Sequence, residues 1–222
     1  MTENLEELYR KEKFQEIIEA AKELYADEGV YGFNMRALAD KMGIGLSSLY
    51  NYIESKRELW YAVIIHYYSE LESKMGKIAN THEGSFIDLV KKLIDFYFAF
   101  AQSDYKRFRF MYLAPIPKSE NIGPFEKNYE PYNVFNALKK VIKQEISARN
   151  VNQSRVDINY ITMYLFSIVH GAIITILELD WKEYYDEKRP KYWSLIEPSK
   201  FLEFSKKHII NQVEGIFSQI FK

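Results

Sequence analysis

The sequence predicts an all-α protein in two parts, a three-helix unit at the N-terminus and a larger helical remainder. Three observations carry this expectation. Apolar residues recur at helical spacing along most of the chain, and nothing reads as alternating strands joined by hairpin turns. All six prolines (Pro115, Pro117, Pro124, Pro131, Pro190 and Pro198) fall in the second half, so the first 110 residues can run as helices broken only by glycines and caps. A short segment near the N-terminus also places a small residue, a glycine and apolar side chains at the offsets of two tightly crossed helices.

Taken in order, the first helix is expected over Leu5–Glu28. Phe14, Ile17, Ala21 and Leu24 form one face, while Glu16, Lys22 and Glu23 point outward. Gly29 ends it, being free to take the left-handed conformation. Asn34 is a good N-cap for a short helix running to Met42. Gly43 supplies the positive φ of a sharp turn, and Gly45 can cap the next short helix. Ala39 is small enough for a second helix to cross closely, and Leu38, Met42, Ile44 and Leu49 supply the contacts between them. Ser55 and Glu58 then form a capping box at the head of a long helix, Ser55–Lys77, with Leu59, Val63 and Tyr67 on its apolar side. Further helices are expected over Ser85–Ser103, Asp104–Leu113, Phe125–Arg149, Ser154–Trp181 and Ser199–Phe221. The segments 115–124 and 181–198 read as connections.

Composition limits the function classes. With 47% hydrophobic residues, and 18 Tyr and 15 Phe, 222 residues can bury a large core without disulfides or a structural metal. The absence of cysteine excludes thiolate metal sites, Cys nucleophiles and thiol redox sensing, and fits a cytoplasmic protein. The first residues, acidic at Glu3, Glu6 and Glu7, lack the basic and apolar regions of a signal peptide. The stretch 158–179 is about long enough to span a bilayer. Asn159, His170 and Glu178 interrupt it, so a buried interface helix is expected and no membrane partner. His66, His82, His170 and His208 are scattered, so neither a metal nor a cofactor is expected. There is no Ser-His-Asp context, phosphate-cradling glycine loop or carboxylate–histidine metal motif, so the chain is not expected to be an enzyme.

The run Ala20 to Gly29, then Asn34 to Ala39, Gly43-Ile44, Leu49 to Ile53 and Ser55 to Leu59 resembles the DNA-binding domain of TetR/AcrR-type transcriptional regulators. The resemblance covers about Phe14 to Val63. It implies a helix-turn-helix DNA-binding domain over 8–56 and a ligand-binding and dimerisation domain over 57–222. It also implies a homodimer on double-stranded operator DNA, most simply a repressor released by a small-molecule effector. By that resemblance the helix Leu46–Ile53 enters the major groove. Leu46, Ser47 and Ser48 lie nearest the base edges, and Leu46 stands where the family often has Lys or another polar residue. Arg36 reaches a guanine or a phosphate, and Asn34, Tyr50, Asn51, Tyr52 and Lys56 are the backbone contacts. The alternative readings are Tyr52 as a core aromatic and Arg36 as a surface charge.

The net charge is −1, so any DNA-binding surface has to be local. Arg36, Lys41, Lys56 and Arg57 oppose Asp40 and Glu54, a surplus of only two between Gly32 and Arg57. Modest non-specific affinity and dependence on two half-sites about 34–36 Å apart follow. In the second domain, Leu89, Leu93, Phe96 and Phe100 make a stripe with Val90 and Tyr97 beside it. The family resemblance implies a ligand cavity among these helices, and from the ring-rich set Phe96, Tyr97, Phe100, Phe108, Tyr112, Tyr160, Tyr164 and His170, most of them core, come its expected walls for a hydrophobic or aromatic effector. The family resemblance assigns dimerisation to Ser154–Trp181 and Ser199–Phe221. Two other readings remain: a TetR-like dimer acting through protein contacts alone, and an all-helical lipid-binding protein or enzyme.

Overall fold

A computed structural model describes residues 5–130, 135–151, 156–180 and 196–221. Among these every regular element is a helix: α1 (Leu5–Gly32), α2 (Met35–Lys41), α3 (Leu46–Tyr50), α4 (Lys56–Thr81), α5 (Phe86–Ser103), α6 (Tyr105–Tyr112), α7 (Pro124–Lys127), α8 (Phe135–Ala148), α9 (Ile158–Asp180) and α10 (Pro198–Ile220). The expected connection at 181–195 and the helix ends at Ser154 and Trp181 lie outside the described residues.

The chain divides into two compact units. The first is Met1–Glu70 with Lys106–Pro131, and the second is Leu71–Tyr105 with Tyr132–Lys222. Residues 57–70 and 106–131 therefore belong with the N-terminal unit, whereas the sequence places the division after residue 56.

In the first unit, Ile17, Ile18, Ala21, Leu24 and Tyr25 of α1 are buried with Leu38 and Ala39 of α2, Leu49 of α3 and Leu59 and Val63 of α4. Gly29 interrupts α1 at φ 70°, ψ −171°, the expected stop, after which the chain makes one more helical turn. Phe110 of α6 sits edge-on to Tyr25 at 4.3 Å and to Tyr67 at 5.6 Å between ring centroids, with Trp60 also at 5.6 Å. This ring cluster places Phe110 of α6 in the first unit's core.

In the second unit α9 packs against α5, α8 and α10, and α10 against α5. Phe86, Leu89, Val90, Leu93, Ile94, Tyr97, Phe98 and Ala101 form the inner face of α5, a helical periodicity that leaves Phe96 half-buried at its edge. Ile209, Val213 and Phe217 of α10 are buried, and Phe217 meets Phe86 edge-on at 4.6 Å.

The single helix expected over Phe125–Arg149 is two helices. α7 stops at its C-cap Asn128, and α8 begins only at Phe135. A continuous helix would pass through Pro131, which has no N–H to donate and whose ring collides with the preceding turn. α9 meets the length and hydropathy of a bilayer span over Ile158–Leu179. Its inner face is nonetheless committed to α5, α8 and α10.

Candidate nucleic-acid interface

Local chemistry sets the geometry of α2 and α3. Asn34 takes an extended conformation and its Oδ1 accepts from Ala37 N–H at 2.8 Å, which starts α2. Gly43 turns the chain at φ 65°, and Ile44 N–H donates to the Ala39 carbonyl at 3.0 Å. α3 follows from the extended Gly45 and ends at its C-cap Asn51, shorter than the expected Leu46–Ile53. Ala39 and Leu49 are both fully buried, so the two helices cross where the side chains are smallest and most apolar.

With Leu49 as the inward anchor, α3 turns the rest of its surface outward. Ser47, Ser48 and Asn51 are exposed, Tyr50 is 45% exposed, and Leu46 and Tyr52 are half-buried. Asn34 and Arg36 are exposed on the same short helical pair, although the Asn34 side-chain oxygen is engaged in capping. All nine expected DNA-contact residues thus keep some exposure on one unit. Lys56 is half-buried, and its ammonium donates to the Phe33 carbonyl and lies 5.3 Å over the Phe33 ring. Burial there pushes the Lys56 amine below its ordinary range.

The positive surface is smaller than the sequence suggests. Lys41 pairs with Glu23 at 3.1 Å, and Arg57 is held by both carboxylate oxygens of Glu126. Hydrogen bonding to Arg57 holds the Glu126 carboxyl low. Among the described residues between 33 and 57, Arg36 is the cation held by neither a carboxylate nor a backbone carbonyl.

Behind this surface lies a lock that the sequence does not announce. The Ser55 half of the capping box forms, with Glu58 N–H donating to Ser55 Oγ at 3.1 Å. The Glu58 carboxylate does not return to its own helix. It accepts from Phe125 N–H at 2.7 Å and so caps α7. Glu58 is 3% exposed, and Gly123 packs so tightly that a Cβ there would lie 2.0 Å from Glu58 Oε2. Phe125 stacks on Phe14 of α1 at 5.1 Å. The segment Gly123-Pro124-Phe125-Glu126 is the available signal, a glycine before a helix-starting proline.

The fold also gathers Glu19, His66 and Glu70, with potential metal-ligating atoms within 4.8 Å of one another. Lys22 lies 2.9 Å and Arg107 2.7 Å from Glu70, so cations already hold that carboxylate. Burial pushes the Glu70 carboxyl up, but these two cations outweigh it and hold it at about 2. The cluster is an ion network tying α1, α4 and α6 together.

The second unit contains an apolar cavity. Met75 of α4 and Val90, Leu93, Ile94 and Tyr97 of α5 line one side. Leu138 of α8 and Leu165, Phe166 and Val169 of α9 complete it. Tyr97 Oη lies 3.2 Å from His170 Nδ1, and the His170 ring stacks on Phe166 at 4.6 Å. Burial holds the His170 imidazole down at about 4. Of the ring set expected to wall a pocket, Tyr97 lines this cavity and His170 stands behind it. Phe100 is buried, stacked on Tyr97, and Phe96 is half-buried. Phe108 and Tyr112 belong to the first unit, while Tyr160 and Tyr164 are exposed.

Comparison with known proteins agrees with this geometry. Residues 17–63 match the sequence model of the bacterial regulatory proteins, tetR family. An HTH-type transcriptional regulator of Staphylococcus aureus strain USA300 is 41% identical over 54 residues, 24% of this chain and 29% of that protein. The chain therefore spans under a third of the length of the curated relatives it matches. Among solved structures, the regulator FadR of Bacillus subtilis, crystallised with stearoyl-CoA, aligns with a TM-score of 0.59 at 16% identity over 86% of this chain and 97% of its own. A single-substitution variant of TetR from Acinetobacter baumannii, in complex with minocycline, aligns with 0.60 at 14% identity over 92% and 96%. The fatty acid degradation regulator FadR of Bacillus halodurans aligns with 0.61 at 15% identity over 95% and 97%. At these identities the solved structures show that the fold is shared.

Proposed function

We propose that this chain, whose residues 17–63 belong to the tetR family of bacterial regulatory proteins, is a ligand-responsive transcriptional regulator that binds operator DNA as a homodimer. The observation that carries the reading is α3 itself, five residues anchored by the fully buried Leu49 and presenting Ser47, Ser48 and Tyr50 to solvent. A helix so short and so held has little conformational entropy left to lose on binding. Its serine hydroxyls donate or accept at base edges, Leu46 meets a thymine methyl, and Arg36 meets a guanine or a phosphate. Tyr50, Asn51 and Tyr52 bind the DNA backbone and set register.

Dimerisation is supported by an apolar face left uncovered within one chain. Tyr160, Met163 and Tyr164 lie at helical spacing on α9, with Tyr160 78% exposed. Phe204 of α10 is 58% exposed. A second copy burying these residues would give one particle two reading helices, as an operator with two half-sites requires. The cavity in the second unit is the candidate effector site. A hydrophobic ligand that binds better to a dimer with misplaced reading helices would shift the population away from DNA, giving repression relieved by ligand. α4 supplies both Leu59 to the core beneath α3 and Met75 to the cavity wall.

One observation favours a second reading, a dimer that acts through protein contacts alone: the engagement of Lys41, Lys56 and Arg57 leaves little free positive charge. Selection from a pool of random duplexes separates the two. The regulator reading predicts enrichment of an inverted repeat, and a folded dimer that enriches nothing would overturn it.

A further inference from the structure

The cavity of the second unit differs from an aromatic-walled pocket in one respect that names a ligand class. Seven of its nine lining side chains are aliphatic or Met, only Tyr97 and Phe166 bring rings, and none carries a charge. An ionised group placed there would lose its hydration with no counter-charge in the wall. Flat aromatic ligands gain most by stacking on ring faces, and only two of the nine lining side chains, Tyr97 and Phe166, offer one. Branched aliphatic walls with an adaptable Met suit a flexible hydrocarbon instead.

The one polar feature at this wall is Tyr97 Oη, 3.2 Å from His170 Nδ1. A hydroxyl and a neutral imidazole can each donate or accept, so the pair suits an uncharged hydroxyl or carbonyl. The cavity, about 60 Å³ and partly open at its mouth, has room for about four water-sized spheres, enough for a short aliphatic chain.

We infer that this cavity binds an uncharged, short-chain aliphatic molecule, with a single hydroxyl or carbonyl group set at the Tyr97–His170 pair. The inference rests on the proposed regulator reading and names the chemistry of its effector. Isothermal titration of the full chain with octan-1-ol, octanoate, octylammonium and 2-naphthol tests it. The expected result is saturable binding of octan-1-ol, one per chain, at least about tenfold tighter than either ion at pH 7.5. Val169→Trp, which fills the void, should abolish binding. Should that variant unfold, Tyr97→Phe keeps the packing and should weaken octan-1-ol severalfold. Octanoate binding as tightly as the alcohol, 2-naphthol binding tighter than both, or no saturable binding would each overturn the assignment. Anisotropy of the same samples on selected duplex DNA separates the two levels. A chain that binds DNA but no alcohol overturns only the ligand class, and one that binds the alcohol but no DNA overturns only the regulator reading.

Discussion

The contact between Glu58 and α7 gives a prediction that can be worked from the geometry. Replacing Glu58 with Ala removes the acceptor of Phe125 N–H at 2.7 Å and leaves the first turn of α7 uncapped. Loss of such a cap costs about 1 kcal/mol, and a hydrogen bond to a charged group about 1.5–3 kcal/mol, the two overlapping rather than adding. The expected loss is roughly 2–3 kcal/mol, or about 4–12 °C in Tm for a chain of this size. Glu58→Gln keeps an oxygen at the same place and should lose under about 1 kcal/mol. Gly123→Ala supplies the independent arm. Gly123 has an ordinary φ of −82°, so Ala is not strained there, and in an open site it would stabilise by about 0.4–1 kcal/mol. Its Cβ would instead lie 2.0 Å from Glu58 Oε2 and drive the carboxylate off Phe125. The variant should therefore destabilise by about 1–2 kcal/mol, and its effect should largely vanish in the Glu58→Ala background. Urea titration of the four proteins reads this directly. If Gly123→Ala is neutral, or if the two effects add, the carboxylate is bound to its own helix and the proposed lock is refuted.

Gly43→Ala meets no atom within 4 Å, so its cost is backbone strain alone at φ 65°, about 1–2 kcal/mol, read as a Tm lower by roughly 2–8 °C. His170 sets a pH window. Its imidazole is held at about 4 in the folded chain against an ordinary value of about 6.5, so the unfolded chain takes up the proton first. Stability is fully present above about pH 6.5 and falls as the pH drops to about 4, by roughly 1–2 kcal/mol after allowing for partial exposure. His170→Gln should flatten urea midpoints across that window. Glu70, held at about 2, acts in a lower window. Its contribution is present above about pH 4.5 and is lost towards pH 2, so Glu70→Gln should flatten the steeper acid limb.

The helix-turn-helix is legible in the sequence because its determinants are local. Asn34 can cap only the helix it precedes, Gly43 takes its positive φ without strain, and Ala39 and Leu49 lie within one turn of the crossing. The lock is not legible, because Glu58 has an adequate local partner and nothing in its own helix indicates Phe125, 67 residues away. The Lys56 contact is equally illegible, because nothing beside Lys56 in the sequence indicates the Phe33 carbonyl that its ammonium meets. In the second unit, periodicity identifies the inner face of α5 but cannot say which helix faces it. Tyr160 and Tyr164 therefore read as pocket residues when the other half of α9 supplies Leu165, Phe166 and Val169. The split of 125–149 follows from Pro131, a residue already visible in the sequence.

Whether α3 reads DNA is measured most directly by anisotropy of a selected duplex with the wild-type chain and Tyr50→Ala at two salt concentrations. Tyr50 is 45% exposed, so its removal should leave Tm unchanged. A reading α3 gives sequence-specific binding at least about 10³-fold over a scrambled duplex, weakened tenfold or more by Tyr50→Ala. With so few unengaged cations, the salt slope should be shallower than about −4. Binding that is equal on both duplexes, or that survives Tyr50→Ala unchanged, would contradict a reading role for α3.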